Sequence, residues 1–156
     1  MAVTATRPLH LRAELWGLVG LGGALGSLAR HGVSTALPTG GSGWPTGTFA
    51  VNAVGAFLLG LLLEALARRG DEGPRARGLR LLAGTGFLGG FTTYSSLADE
   101  VDLLLTPGGS LPLALGYGLG SVVVGFLAAL LGVLAAAAGH RARAAGTFLD
   151  DEGEVR

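Results

Sequence analysis

The sequence predicts an all-α membrane protein of four transmembrane helices, with a break in the third. Three observations lead there. Four apolar stretches, residues 15–37, 48–67, 79–105 and 111–139, are each about long enough to cross a hydrocarbon core of roughly 30 Å. The 156 residues include 29 glycines and few charges, with a mean hydropathy of +0.55. Glycine and alanine with few aromatic rings suit close helix contact in lipid, where packing replaces the hydrophobic effect as the driving force. The third stretch, finally, carries GGFTTYSS at its centre, a Gly-Gly pair followed by hydroxyl side chains, where a helix is weak. Lipid cannot satisfy free N–H and C=O groups, so irregular backbone survives in a bilayer only where protein buries it or where it lines a cavity. A broken membrane helix is therefore a candidate ion site.

The chain divides into a polar lead at 1–14, a four-helix domain at 15–139 and a polar tail at 140–156. The lead carries Arg7, His10 and Arg12 and is assigned no fold. The first apolar run is longer than a signal-peptide core and no small-residue cleavage pattern follows it, so it is expected to remain as a helix. On it Gly22, Gly26 and Arg30 recur every four residues and share a face. The first two form a GxxxG pair that admits another backbone. Arg30 would cost about 2.5–3.5 kcal/mol at a bilayer centre, less near an end. It is read either as an interfacial anchor or as a cation that tunes anion entry.

The linker at 38–47 is turn chemistry, with Trp44 at headgroup level. The second helix opens at Thr48 and continues with Asn52, Ala56 and Gly60, again four apart. The Asn52 amide offers two N–H donors to an anion; the competing reading is a bond to a neighbouring helix. The loop at 68–80 is the most charged part of the chain, with Arg68, Arg69, Arg75, Arg77 and Arg80 against Asp71 and Glu72. The third helix is expected to break at Gly89 and Gly90. Asp99, Glu100 and Asp102 after the break are placed at the far membrane boundary, the alternative being a metal or proton-coupling role. The fourth helix carries a second GxxxG at Gly116 and Gly120, while Tyr117, Ser121 and Gly125 form a polar stripe that either faces a pore or bonds across helices. The tail is expected to be disordered or peripheral.

Several classes are excluded. With no cysteine there is neither a disulfide framework nor a thiolate metal site. The three His residues are isolated, and no nucleophile–base pair or phosphate loop is present, so enzyme chemistry has no support. No basic patch is interleaved with aromatics, and no nucleic-acid partner is expected.

Four segments carry a resemblance: GLGGALGSLARH at 20–31, GTFAVNAVGAFLLG at 47–60, GFLGGFTTYSSLADE at 86–100, and the pair Tyr117 and Ser121. In order and spacing they resemble the small bacterial fluoride channels, the Fluc or CrcB proteins. The resemblance implies a passive, fluoride-selective channel subunit in the bacterial cytoplasmic membrane, assembled as an antiparallel dimer with two fluoride pathways. It further implies a structural sodium ion held by the backbone carbonyls of Gly89 and Thr92 from both subunits. Thr48, Asn52, Ser96 and Ser121 match the polar-track positions, beside Tyr117. The family's usual pair of phenylalanines in the third helix is replaced by Tyr94 and Leu97. Leu97 has no ring edge, which leaves a non-conducting scaffold partner as an alternative. A proton-coupled four-helix exporter is a further one, weakened because Glu14 and Glu64 lie near helix ends.

Charge distribution adds an orientation. With the amino terminus inside, the lead, the second loop and the tail hold every arginine except Arg30, and the rule of positive loops inside predicts one fixed insertion. Fixed insertion favours pairing with an inverted sister subunit over an antiparallel homodimer.

Overall fold

The computed structural model describes residues 13–41, 43–70 and 73–154, with side chains through residue 143. Residues 1–12 of the lead, the loop carboxylates Asp71 and Glu72, and the last two residues of the tail lie outside the described residues. The described chain is helical: α1 (Ala13–Ala36), α2 (Thr46–Ala67), α3 (Pro74–Leu79), a π-helical segment (Arg80–Leu88), α4 (Gly89–Phe91), α5 (Tyr94–Leu105) and α6 (Leu111–Glu154). From α3 through α4 the helical backbone is continuous, so the elements stand as four columns.

Two of them, Thr46–Ala67 and Leu111–Arg143, are long and apolar enough to cross a membrane. Their outward faces are apolar, with Leu119, Val122 and Phe126 all about two-thirds exposed. The first column is long enough at 24 residues, but its glycines and polar residues dilute it. The last helix does not stop at Gly139 as the composition change suggested; it runs to Glu154. The alanine-rich stretch after Gly139 has the intrinsic propensity to continue.

Glycines decide where the columns touch. On α1, Gly22 and Gly26 are buried against the backbone of the π segment: a side chain at Gly22 would collide with the Leu82 carbonyl, and one at Gly26 with that of Phe87. The reading of this stripe as a packing face therefore holds. The π segment answers with Gly86, whose Cα approaches Gly22, and α4 with Gly90, which lies against the backbone of Gly23. Such widened turns are rare and concentrate at functional sites.

The α2–α6 contact uses Gly60, on the four-residue stripe of the second helix, with Gly132, which lies outside the GxxxG of the fourth. A side chain at Gly60 would strike the Ala129 carbonyl, and one at Gly132 the Phe57 carbonyl. Gly116, by contrast, has open space around it and Gly120 only the far edge of Trp44, so the second GxxxG is not a packing face within the subunit. A spacing motif shows that a close approach is possible; only the crossing point of two helices decides where it happens.

Gly132→Val should consequently force α2 and α6 apart, at a cost of about 1–3 kcal/mol from overpacking. The check is the thermal unfolding midpoint of the purified protein in detergent, which falls in that variant and is kept or slightly raised in Gly116→Ala.

Candidate functional site: the broken helix and its polar track

The third column leaves the helix two residues later than expected. Gly89 and Gly90 are still helical in α4, whereas Thr92 (φ −78°, ψ 158°) and Thr93 (φ −149°, ψ 124°) are extended. The reason is which groups find partners. Thr92 donates both its N–H and its hydroxyl to the Leu88 carbonyl, at 3.0 Å each, and closes α4. Thr93 then makes the first turn of α5, its Oγ1 accepting the Ser96 N–H at 3.1 Å as a helix N-cap.

Between these turns the Thr93 peptide groups are held by Asn52 on α2. Asn52 Oδ1 accepts the Thr93 N–H at 2.8 Å, and Asn52 Nδ2 donates to the Thr93 carbonyl at 2.9 Å. Only one orientation of the amide satisfies both, so the side chain is fixed. Of the two readings open for Asn52, the structure realises the interhelical bond, and one Nδ2–H is left for another acceptor.

This arrangement withholds N–H donors from the carbonyls before the break. In an unbroken helix the Thr93 N–H would return to Gly89 and the Ser96 N–H to Thr92; here they go to Asn52 and to Thr93 Oγ1. Arg30 on α1 donates from Nε to the next such carbonyl, Gly90, at 3.2 Å. A cation at the carboxyl end of a helix fragment also meets the negative end of its dipole. Gly89 is exposed, with open space around its Cα, on the outer surface of the subunit.

Four more polar groups gather where α2, α5 and α6 meet. Thr48 donates from Oγ1 to Glu100 Oε1 at 2.7 Å, and the Tyr117 hydroxyl to Glu100 Oε2 at 2.5 Å. Tyr117 is fully buried and Thr48 nearly so. One turn further along α6, Ser121 is buried and its hydroxyl has no protein partner. Trp44 closes the cluster at the start of α2, edge-on to Phe49 and to Tyr117 with ring centroids 5.5 and 5.4 Å apart.

Of the three carboxylates that follow the break, Glu100 is the one turned inward to hydroxyl partners, whereas its neighbours Asp99 and Asp102 are exposed. Spacing from Ser96 sets Asp102 on another face but leaves Asp99 and Glu100, three and four residues on, together, so only the packing against α2 and α6 singles out Glu100. Trp44, expected at headgroup level, packs edge-on to the buried tyrosine.

Tyr94 and Leu97 are not among these groups. Tyr94 is 83% exposed, and both line an open groove of about 480 Å³ on the outer side of α5 and α6, with Ala98, Val101 and Leu119. Ser96 lies between the two sets, its hydroxyl accepting from Thr93 Oγ1 at 3.1 Å.

Among the described residues no three His, Cys, Asp or Glu side chains gather as a metal site. The ligands expected for sodium are carbonyl oxygens, however, and the diverted N–H groups leave Gly89 and Thr92 with acceptor capacity of the hard kind that such a cation prefers. The donor set fits the ion.

Residues 17–133 match the family described as CrcB-like protein, camphor resistance (CrcB). A relative from Leifsonia xyli subsp. xyli, named fluoride-specific ion channel FluC 2, is 49% identical over 67% of this chain and 72% of its own length. Another from Cutibacterium acnes, named fluoride-specific ion channel FluC 1, is 46% identical over 78% of this chain and 84% of its own. A third from Thermus thermophilus, named fluoride-specific ion channel FluC, is 47% identical over 76% and 90%.

Replacing Asn52 by Leu strands the N–H and C=O of Thr93 together, at about 1–3 kcal/mol for each buried group left unpaired. Thr93→Val removes the cap of α5, worth about 1 kcal/mol, with the hydroxyl contacts to Ser95 and Ser96, and leaves both Thr93 backbone groups bonded to Asn52. Thermal unfolding in detergent should rank Asn52→Leu as clearly the more damaging of the two.

Proposed function

The chain belongs to the CrcB family, and from that membership together with the polar cluster we propose that it is a subunit of a passive, fluoride-selective channel that lowers cytoplasmic fluoride. Its four columns are read as four membrane crossings in a bacterial cytoplasmic membrane. The apolar outer faces of α2 and α6 support this, since lipid tolerates exposed leucine, valine and phenylalanine where water does not.

Fluoride is small and strongly hydrated, so a pathway must replace its water with donors. Ser121 carries the structural side of the proposal: a buried hydroxyl without a partner is costly, and an anion accepting from it removes that cost. Thr48 and Tyr117 supply further hydroxyls beside it, but their protons are committed to Glu100. A passing anion gains them only by displacing that carboxylate, so the three groups act as an exchange site. The spare Nδ2–H of Asn52 extends the track towards the break. Hydrogen fluoride enters cells as the neutral acid and dissociates inside. The trapped anion then leaves down the electrical gradient, and no energy coupling is needed.

The exposed Gly89 and the groove holding Tyr94 and Leu97 support assembly with a second subunit. In an antiparallel dimer the Gly89 and Thr92 carbonyls meet their counterparts around a structural sodium ion, and the Tyr94–Leu97 groove faces the partner. Grooves at one end of the molecule bring Arg69 beside Arg80 and also beside His140 and Arg143. This one-ended charge favours an inverted sister subunit as the partner. The relatives, named as fluoride-specific channels, lend no support to the exporter reading.

Fluoride efflux from liposomes tests the function. Ser121→Ala should cut efflux at least tenfold while leaving the unfolding midpoint unchanged or higher, because the hydroxyl it removes makes no bond in the folded subunit. Absence of efflux in liposomes holding the chain both alone and with its sister would remove the channel reading; efflux only with the sister would make this chain dependent on that partner. Leu97→Phe restores a ring edge and should raise the flux or leave it unchanged; a clear fall would show that Leu97 is not a weakened pathway position.

A further inference from the structure

The carboxyl end of α4 presents carbonyls whose helical donors the break has removed. In an unbroken helix the Gly90 carbonyl would accept the Tyr94 N–H, but Tyr94 opens α5 on the far side of the break. Arg30 on α1 takes that place with its Nε at 3.2 Å, across 60 residues of sequence. Close packing lets it reach, since Gly90 lies against the backbone of Gly23, about two turns earlier on α1. Arg30 is half-buried, and among the described residues its partner is this neutral carbonyl, with no carboxylate paired to it. A full positive charge therefore stands one residue along the chain from Gly89, whose carbonyl is read above as a sodium ligand.

We propose that Arg30 is a positioning residue for the cation site at the break: it withholds the Gly90 carbonyl from the ligand set and, through its charge, limits how tightly that site holds sodium. The inference rests on the sodium reading. Peptide dipoles in a helix point along its axis, so a free Gly90 oxygen would be offered on the same side as that of Gly89. Bonded to Arg30 it is not, and each subunit contributes Gly89 and Thr92 alone. Selectivity between hard cations follows ligand number and cavity size, so this restriction favours sodium over the larger potassium ion. The guanidinium adds repulsion, which is stronger in a partly buried setting than in water. In an antiparallel dimer the contact occurs once in each subunit, and the two act together.

Arg30→Gln separates the two effects. The glutamine Nε2 stands at the same place along the side chain as the arginine Nε, so the substitution keeps a donor for Gly90 and removes the charge; Arg30→Met removes both. The readout is the thermal unfolding midpoint of the protein in detergent, purified alone and with its sister, as sodium chloride replaces N-methylglucamine chloride at constant ionic strength. A cation bound only by the folded state raises the midpoint once its concentration passes Kd. Arg30→Gln should need about tenfold less sodium than the wild type for the same rise. Arg30→Met should in addition respond to potassium at concentrations that leave the wild-type midpoint unchanged. Midpoints lowered equally in every salt are what a merely structural role would give, and they overturn the proposal. So does an unchanged or raised sodium requirement in Arg30→Gln, a result that stands even if the methionine variant folds poorly. A wild type without sodium dependence in either preparation removes the sodium reading and this inference with it; a sodium-dependent wild type with unaltered variants removes the inference alone.

Discussion

The structure depends on one side-chain amide satisfying both backbone groups of one residue. A break in a helix at membrane depth exposes N–H and C=O groups that lipid cannot bond. Asn52 meets both of the Thr93 groups at once, with bonds of 2.8 and 2.9 Å across 41 residues of sequence. Thr92 and Thr93 supply the local turns on either side, one closing α4 and the other capping α5. The break is therefore fully held at its centre, and unused acceptor capacity is displaced to the carbonyls just before it. Arg30 takes one of these, at Gly90, and Gly89 opens to the subunit surface.

Glycine makes this geometry reachable. The π segment and α4 lie so close to α1 that side chains at Gly22, Gly26 or Gly90 would overlap backbone atoms. Without that approach the Arg30 guanidinium would not reach the broken end. On the other side of the molecule, Gly60 and Gly132 let α6 press against α2, and their contact buries the Tyr117–Ser121 face beside Thr48.

The polar cluster is chemically unbalanced in an informative way. Thr48 and Tyr117 both donate to one carboxylate, while Ser121 donates to nothing in the protein. Hydroxyls bound to Glu100 are oriented but occupied; the orphan is free but undirected. In the proposed pathway an anion would meet one free donor at Ser121 and two more that become available only when they leave the Glu100 carboxylate. Tyr94 and Leu97 face outward from the same broken column, so whatever they contribute acts at the subunit's outer surface.

Much of this was legible from residues alone. The apolar runs, the interrupted third helix, the Gly22–Gly26–Arg30 stripe and the inward polar stripe of α6 follow from composition and a helical period, because these properties are local to the chain. Family resemblance added the pathway roles proposed for Thr48, Asn52 and Ser121, and the match over residues 17–133 bears out the family alone. Tertiary structure alone decided that the break falls at Thr92–Thr93 and not at Gly89–Gly90, since its position is set by where Asn52 reaches a peptide group. It also decided that Glu100 turns inward to Thr48 and Tyr117, and that Gly132, outside either GxxxG pair, carries the α2–α6 contact. A period of 3.6 residues says which side chains share a face; the helix covering that face, and the depth at which it crosses, depend on residues distant in sequence.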